Sequence, residues 1–187
     1  MPSTRADRLL PEVMRRTVLP GSPMAAVLDV MEALHAPSEA VLRRIDRVFD
    51  PYDAPRGFLP VLARWVDLAW LLDRQAPVDP RRGGIPAPSL STGDGRLREL
   101  IAAASWLAQR RGTAPGLVRF LETATGLGGF RVEESPSDAE GRPRPFHLLV
   151  TAPAGAQVHE ALVRRIVESE KPAYVTWELA LEPAATG

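Results

Sequence analysis

The residues best suited to chemistry in this 187-residue chain gather in one stretch, RRGTAPGLVRFLETATG, from Arg110 to Gly126. Two arginines, two glycines and a threonine before an apolar run could cradle an anion, because a helix start offers free amides and the arginines add charge. A phosphate loop, however, leads from a strand into a helix and brings a lysine to the phosphates. The segment before Arg110 has helical periodicity, and Lys171 is the only lysine in the chain. The same residues also read as a corner between two helices. Arg110 and Arg111 complement the negative end of a helix dipole, and Gly112 suits the left-handed position past a helix end. Thr113 can cap the next helix and Pro115 fits its first turn. Arg110, Arg111, Gly112, Thr113 and Gly116 are therefore expected to build a structural corner. An anion held by Arg111 and the amides near Thr113 is the alternative.

The other candidates are scattered. His159-Glu160 begins like a zinc helix, but Val163 stands where the second histidine would be needed. His35 and His147 have no such companions nearby. Glu133, Glu134, Asp138 and Glu140 cluster at one proline-flanked loop, where carboxylates are solvated unless one is buried. No serine lies in a GxSxG context. With no cysteine, disulfides, thiolate metal sites and cysteine nucleophiles are excluded. No catalytic, metal or cofactor-binding residue is assigned, and no cofactor is expected.

Charge is balanced, with 23 basic and 23 acidic residues, and no basic stripe points to nucleic acid. No apolar run is long enough to cross a bilayer. The opening MPSTRADRLLPEVMRR lacks the apolar core of a secretory leader, so a bacterial cytoplasmic setting is expected.

The elements that would position these residues follow from periodicity and punctuation. Residues 1–22, broken by prolines, read as an extended arm. Ser22 and Pro23 open a helix with Val27, Leu28, Met31 and Leu34 on one face; Pro37 is expected to end it, and Ser38 to cap another with Val41, Leu42, Ile45, Val48 and Phe49 inward. A helix starts near Phe58–Pro60, with Leu62, Trp65, Val66 and Ala69 on one face. Residues 74–95 read as a long flexible loop. RLRELIAAASWLAQRR, with Leu97, Leu100, Ile101, Ala104, Leu107 and Ala108 at helical spacing, is the clearest helix. After Gly129 the period changes to strand, loop, strand, helix, strand, ending in Val175, Trp177, Leu179 and Leu181. The expected fold class is α+β: a mainly helical N-terminal two-thirds (residues 23–128) and a small α/β module (129–187) with about three strands and one helix.

Trp65 and Trp106 are expected in the core. Trp70 lies off the main apolar face, so Trp70 and Leu71, with Leu9 and Leu10 of the arm, are the expected interface residues.

Several of these segments carry a resemblance: Leu9-Leu10-Pro11, then FDPYDAPRGFLPVLARWVDL, RRGTAPGLVRFLETATG, VEES and ESEKPAYVTWEL. In this order, over about Leu9 to Leu181, the chain resembles the phage tail protein I family, including its branch in phage-tail-like contractile injection systems. The resemblance implies a non-enzymatic baseplate subunit that binds a larger wedge protein. It implies a ring around the central spike, contacts with other hub components, and an indirect link to sheath and tube. Such a ring holds the sheath extended and passes on the trigger for contraction. The 74–95 loop is longer than the corresponding link in many relatives. A small adaptor with one partner, or an enzyme working near His147 and the acidic loop, are the competing readings.

Overall fold

The computed structural model describes residues 6–73 and 88–182. Most of the anticipated 74–95 loop lies outside the described residues. What is described narrows the loop from its far side, because helix begins at Asp94. The chain divides into two compact units, residues 1–48 and 49–187.

In the first unit the arm is not extended throughout. It forms a short 3₁₀ turn, Ala6–Leu9, and a one-turn helix, α1 (Glu12–Arg15). Helix α2 (Pro23–Leu42) starts as its sequence requires: Ser22 Oγ accepts from the Ala25 amide at 3.2 Å, and Pro23 sits where no amide is needed. It does not end at Pro37, which lies inside it. A proline removes one amide and crowds one carbonyl, at about 3 kcal/mol. The amides after it keep their partners, and the helix runs on through Ala40 and Leu42. The result is 20 residues of helix, about 30 Å long. Its apolar face is not inward: Leu28 is its one buried residue, while Val27, Met31, Leu34 and Val41 are all exposed. Helix α3 (Ile45–Phe49) follows.

The second unit holds the core. A 3₁₀ turn (Arg56–Phe58) leads into α4 (Leu59–Trp65), with Pro60 in its first turn and Leu59, Leu62 and Ala63 buried. Helix α5 (Asp94–Gln109) buries Leu97, Leu100, Ile101, Ala104 and Leu107; Ala108 is exposed. Helix α6 (Ala114–Thr125) packs against α5 and ends at Gly126 in the left-handed conformation. The sheet has order β1 (Arg131–Glu134), β2 (His147–Ala152), β3 (Thr176–Leu181). β1 and β2 are antiparallel, joined by a loop; β2 and β3 are parallel, joined through α7 (Glu160–Glu170). The register aligns Val132, Val150 and Leu179 across the three strands, all in or against the core.

That core is continuous from Ala54 to Val167 and takes in α4, α5, α6, β2 and α7. The cluster holds residues from both sides of the expected 128/129 boundary. Arginines tie its edges. Arg98 donates to the carbonyls of Pro51, Tyr52 (3.0 Å) and Ala54 (2.8 Å), and Arg165 donates to that of Leu71 at 2.7 Å. Each bond satisfies a backbone acceptor where the chain leaves regular structure.

Candidate functional site

The Arg110–Gly116 stretch forms a tight turn between α5 and α6. Gly112 has φ +76°, a conformation that a β-branched side chain resists. Thr113 Oγ1 donates to the Arg110 carbonyl at 2.8 Å and accepts from the Gly116 amide at 3.2 Å. Gly116 is required by a close approach: a Cβ there would overlap the Arg110 carbonyl oxygen. Both arginines are engaged within the chain. The Arg110 guanidinium lies 4.2 Å above the Trp106 ring. Arg111 forms a two-point pair with the buried Glu170 carboxylate, at 3.0 and 3.3 Å, and reaches Asp67 at 3.5 Å. The Arg111 guanidinium pKa is raised, first by its hydrogen bond to Glu170 and then by that residue's charge. The corner thus links the α5–α6 turn to the end of α7. It offers an incoming anion few donors, since Pro115 has no amide hydrogen and the Gly116 amide is taken by Thr113.

His147 opens β2. The ring is buried, with Nδ1 2.7 Å from Thr176 Oγ1. Thr176 Oγ1 also donates to the Phe146 carbonyl at 3.3 Å. Nε2 has no aligned hydrogen bond; the Glu178 carboxylate stands 3.5 Å away. In the acidic loop, Asp138 is bound locally. Asp138 accepts from the Arg142 amide (2.8 Å), the Glu140 amide (3.0 Å) and the Arg142 guanidinium (3.0 Å). These bonds, the Arg142 amide first, hold the Asp138 carboxyl below its ordinary value. Among the described residues no group of three histidines or carboxylates is placed to hold a metal.

The expected interface residues behave differently from one another. Leu9 is 85% exposed on its 3₁₀ turn and Leu10 is half-buried. Trp70 and Leu71 share the 3₁₀ turn Ala69–Leu71. Leu71 is fully buried, so it packs the core. Trp70 packs against the core with its ring 6.0 Å from Phe120, and its indole Nε1 is buried without a partner. Trp65, expected inside, is 66% exposed and stacked 5.3 Å from Phe49, which meets Phe58 edge-on at 5.6 Å. Trp106 is also exposed, under Arg110. The reversal has a local cause. Helix α4 stops at Trp65, and Asp67 turns the chain with φ +59°, so the helical count that placed Trp65 with Ala69 fails. Sequence reasoning also missed the exposure of Phe146 and Tyr174, whose rings meet at 5.6 Å and 80°. Phe146 has φ +57°, which breaks the strand alternation that would have turned it inward.

The large apolar groups left at the surface, above all along α2, suit contacts with other chains better than catalysis. Comparison with known proteins agrees. The model of the phage tail protein (Tail_P2_I) family matches residues 22–174. The chain belongs to that family. No curated protein matches it. The matched span starts at the α2 cap, Ser22, runs through the corner, and ends at Tyr174 before β3. Membership gives the chain a structural role in a phage tail and makes contacts with other tail components its business. Among the described residues no helix is long and apolar enough to cross a membrane.

Proposed function

We propose that the chain is a baseplate wedge subunit of a contractile tail or tail-like injection system, assembled in the bacterial cytoplasm. It docks on a larger wedge protein through the apolar face of α2 and contributes to the ring around the central spike. Through that ring it couples triggering to sheath contraction. The observation that carries this reading is α2: a 20-residue helix on which Val27, Met31, Leu34 and Val41 recur at helical spacing yet are exposed, Leu34 to 73%. A helix with its apolar stripe uncovered needs a partner surface, and helix-in-groove docking reads such a stripe at these spacings. Family membership supports a partner among phage tail components.

The test is co-expression with the other baseplate proteins of the same gene cluster, followed by affinity capture of the tagged chain. Wild type is expected to bring down a larger wedge protein, and Leu34→Glu with Val41→Glu to lose it while keeping the same melting temperature. Capture of the wedge protein by the double variant at wild-type yield would refute docking through α2.

A further inference from the structure

A second surface, in the second unit, has chemistry of its own. A cavity of about 230 Å³ opens between the start of α6, the end of β1 and the turns before β2 and β3. This is below the roughly 300–1,000 Å³ of pockets that enclose a small molecule. It has room for one long side chain. Leu117 and Val132 give it apolar walls, and Phe146 and Tyr174, 66% and 72% exposed, stand at its edge as an edge-to-face pair.

The charges around it are unequal in their commitments. Arg111 is taken by Glu170, and Lys171 Nζ lies 3.2 Å from Glu168. Glu134 also lines the cavity, and among the described residues no ion pair or hydrogen bond reaches its carboxylate. The helix start beside it is poor in donors, since Thr113 holds the Gly116 amide and Pro115 has none. An unpaired carboxylate next to two exposed aromatic rings favours a cation over an anion.

Phe146 is held in this place at some strain. Its backbone has φ +57°, and its carbonyl is fixed by the Thr176 amide at 2.9 Å and the Thr176 hydroxyl at 3.3 Å. Strained non-glycine residues cluster where a side chain must be presented for binding.

We propose that this cavity receives an arginine side chain from a partner polypeptide, its guanidinium paired with Glu134 and stacked on the Phe146–Tyr174 pair. Arginine fits better than lysine because its planar fork matches a carboxylate and lies flat on an aromatic face. Its alkyl stem would rest on Leu117 and Val132. The inference does not depend on the wedge reading: it concerns a different unit, and any arginine-bearing partner would satisfy it.

The experiment is a ¹⁵N-NMR titration of the full chain with N-acetyl-arginine amide. N-acetyl-citrulline amide, of the same shape without the charge, and inorganic phosphate are the controls. Arginine amide is expected to give saturable shifts centred on the Glu134, Phe146 and Tyr174 amides, and citrulline amide and phosphate none. Glu134→Gln should weaken binding roughly tenfold. Tyr174→Leu, made at an exposed ring, should weaken it roughly fivefold. Equal shifts with citrulline amide would mean a neutral occupant. Phosphate shifting the same amides would mean an anion site. Either result, or shifts that do not saturate, overturns the proposal.

Discussion

Helices α2 and α5 carry nearly the same sequence signal and end in opposite environments. Both show apolar residues at helical spacing over four turns or more. In α5, Leu97, Leu100, Ile101, Ala104 and Leu107 are all buried in the second unit's core. In α2 only Leu28 is buried, and the rest of the stripe is exposed. Periodicity states that a helix has an apolar face; it does not state what covers that face. In a chain that works alone the second helix would be a defect. In a member of a tail-protein family it fits the proposed docking on another subunit.

The sharpest way to break this comparison is a matched pair of truncations. Leu100→Ala should cost about 2–5 kcal/mol, because Leu100 is fully buried and its removal leaves a cavity. Leu34→Ala should change stability by less than about 0.5 kcal/mol, because its side chain is mostly in water. Urea titrations of both variants decide it. A Leu34→Ala loss comparable to that of Leu100→Ala would mean that α2 is packed within the chain and does not dock through this face.

A second pair tests the same distinction five residues apart. Trp70→Ala is expected to cost about 2–4 kcal/mol, since its ring packs on Phe120 and the core. Trp65→Ala should cost no more than about 1 kcal/mol, the worth of its exposed stack on Phe49. Similar losses in thermal melts of the two would mean that the burial of one has been misjudged.

Those tryptophans also mark the limit of what the sequence discloses. The corner was legible in detail, because Thr113 capping, Gly112 at positive φ and proline in the first turn are local chemistry that needs no knowledge of the remainder. The three strands and α7 were legible for the same reason: the period changes after Gly129. Trp65 was expected inside and is exposed, because helical counting does not foresee the left-handed turn at Asp67 just past it. Pro37 was read as a stop because the rule for proline is a free-energy cost, and a long apolar helix can bear it. The Glu170–Arg111 pair joins residues 59 positions apart. No spacing rule reaches that far, so the corner's tie to α7 was invisible before the fold. The exposed Phe146–Tyr174 edge was hidden by a positive φ that hydrophobic alternation cannot foresee.

Within the second unit, the corner gives the next test. Gly116→Ala places a methyl group against the Arg110 carbonyl, which Thr113 Oγ1 also holds. The turn must open to admit it, and the expected cost is about 2 kcal/mol, in the range of overpacked sites. Gly116 has no positive φ, so backbone strain is not the cause, and Gly116→Ser should behave as badly. If both variants melt like wild type, the corner tolerates expansion and its glycine has another reason.

The smallest expected effect is a pH dependence on the outer side of α7. Trp177 Nε1 donates to Glu168 at 2.7 Å, and Lys171 Nζ lies 3.2 Å from the same carboxylate. These bonds, the indole's first, hold the Glu168 carboxyl below the ordinary value of 4.5. A carboxyl depressed in the folded state binds fewer protons there than in the unfolded chain. Its stabilisation is therefore complete above about pH 4.5 and is lost as pH falls through the folded value. Glu168→Gln removes this contribution, so its melting temperature should lie slightly below wild type at pH 6. The gap should close as pH is lowered past 4.5 toward 3. The Trp177 indole proton shift should follow the same transition, with a midpoint below 4.5. A gap that stays constant with pH, or an indole shift that does not titrate, would show that the bond between α7 and β3 contributes nothing to the stability of the second unit.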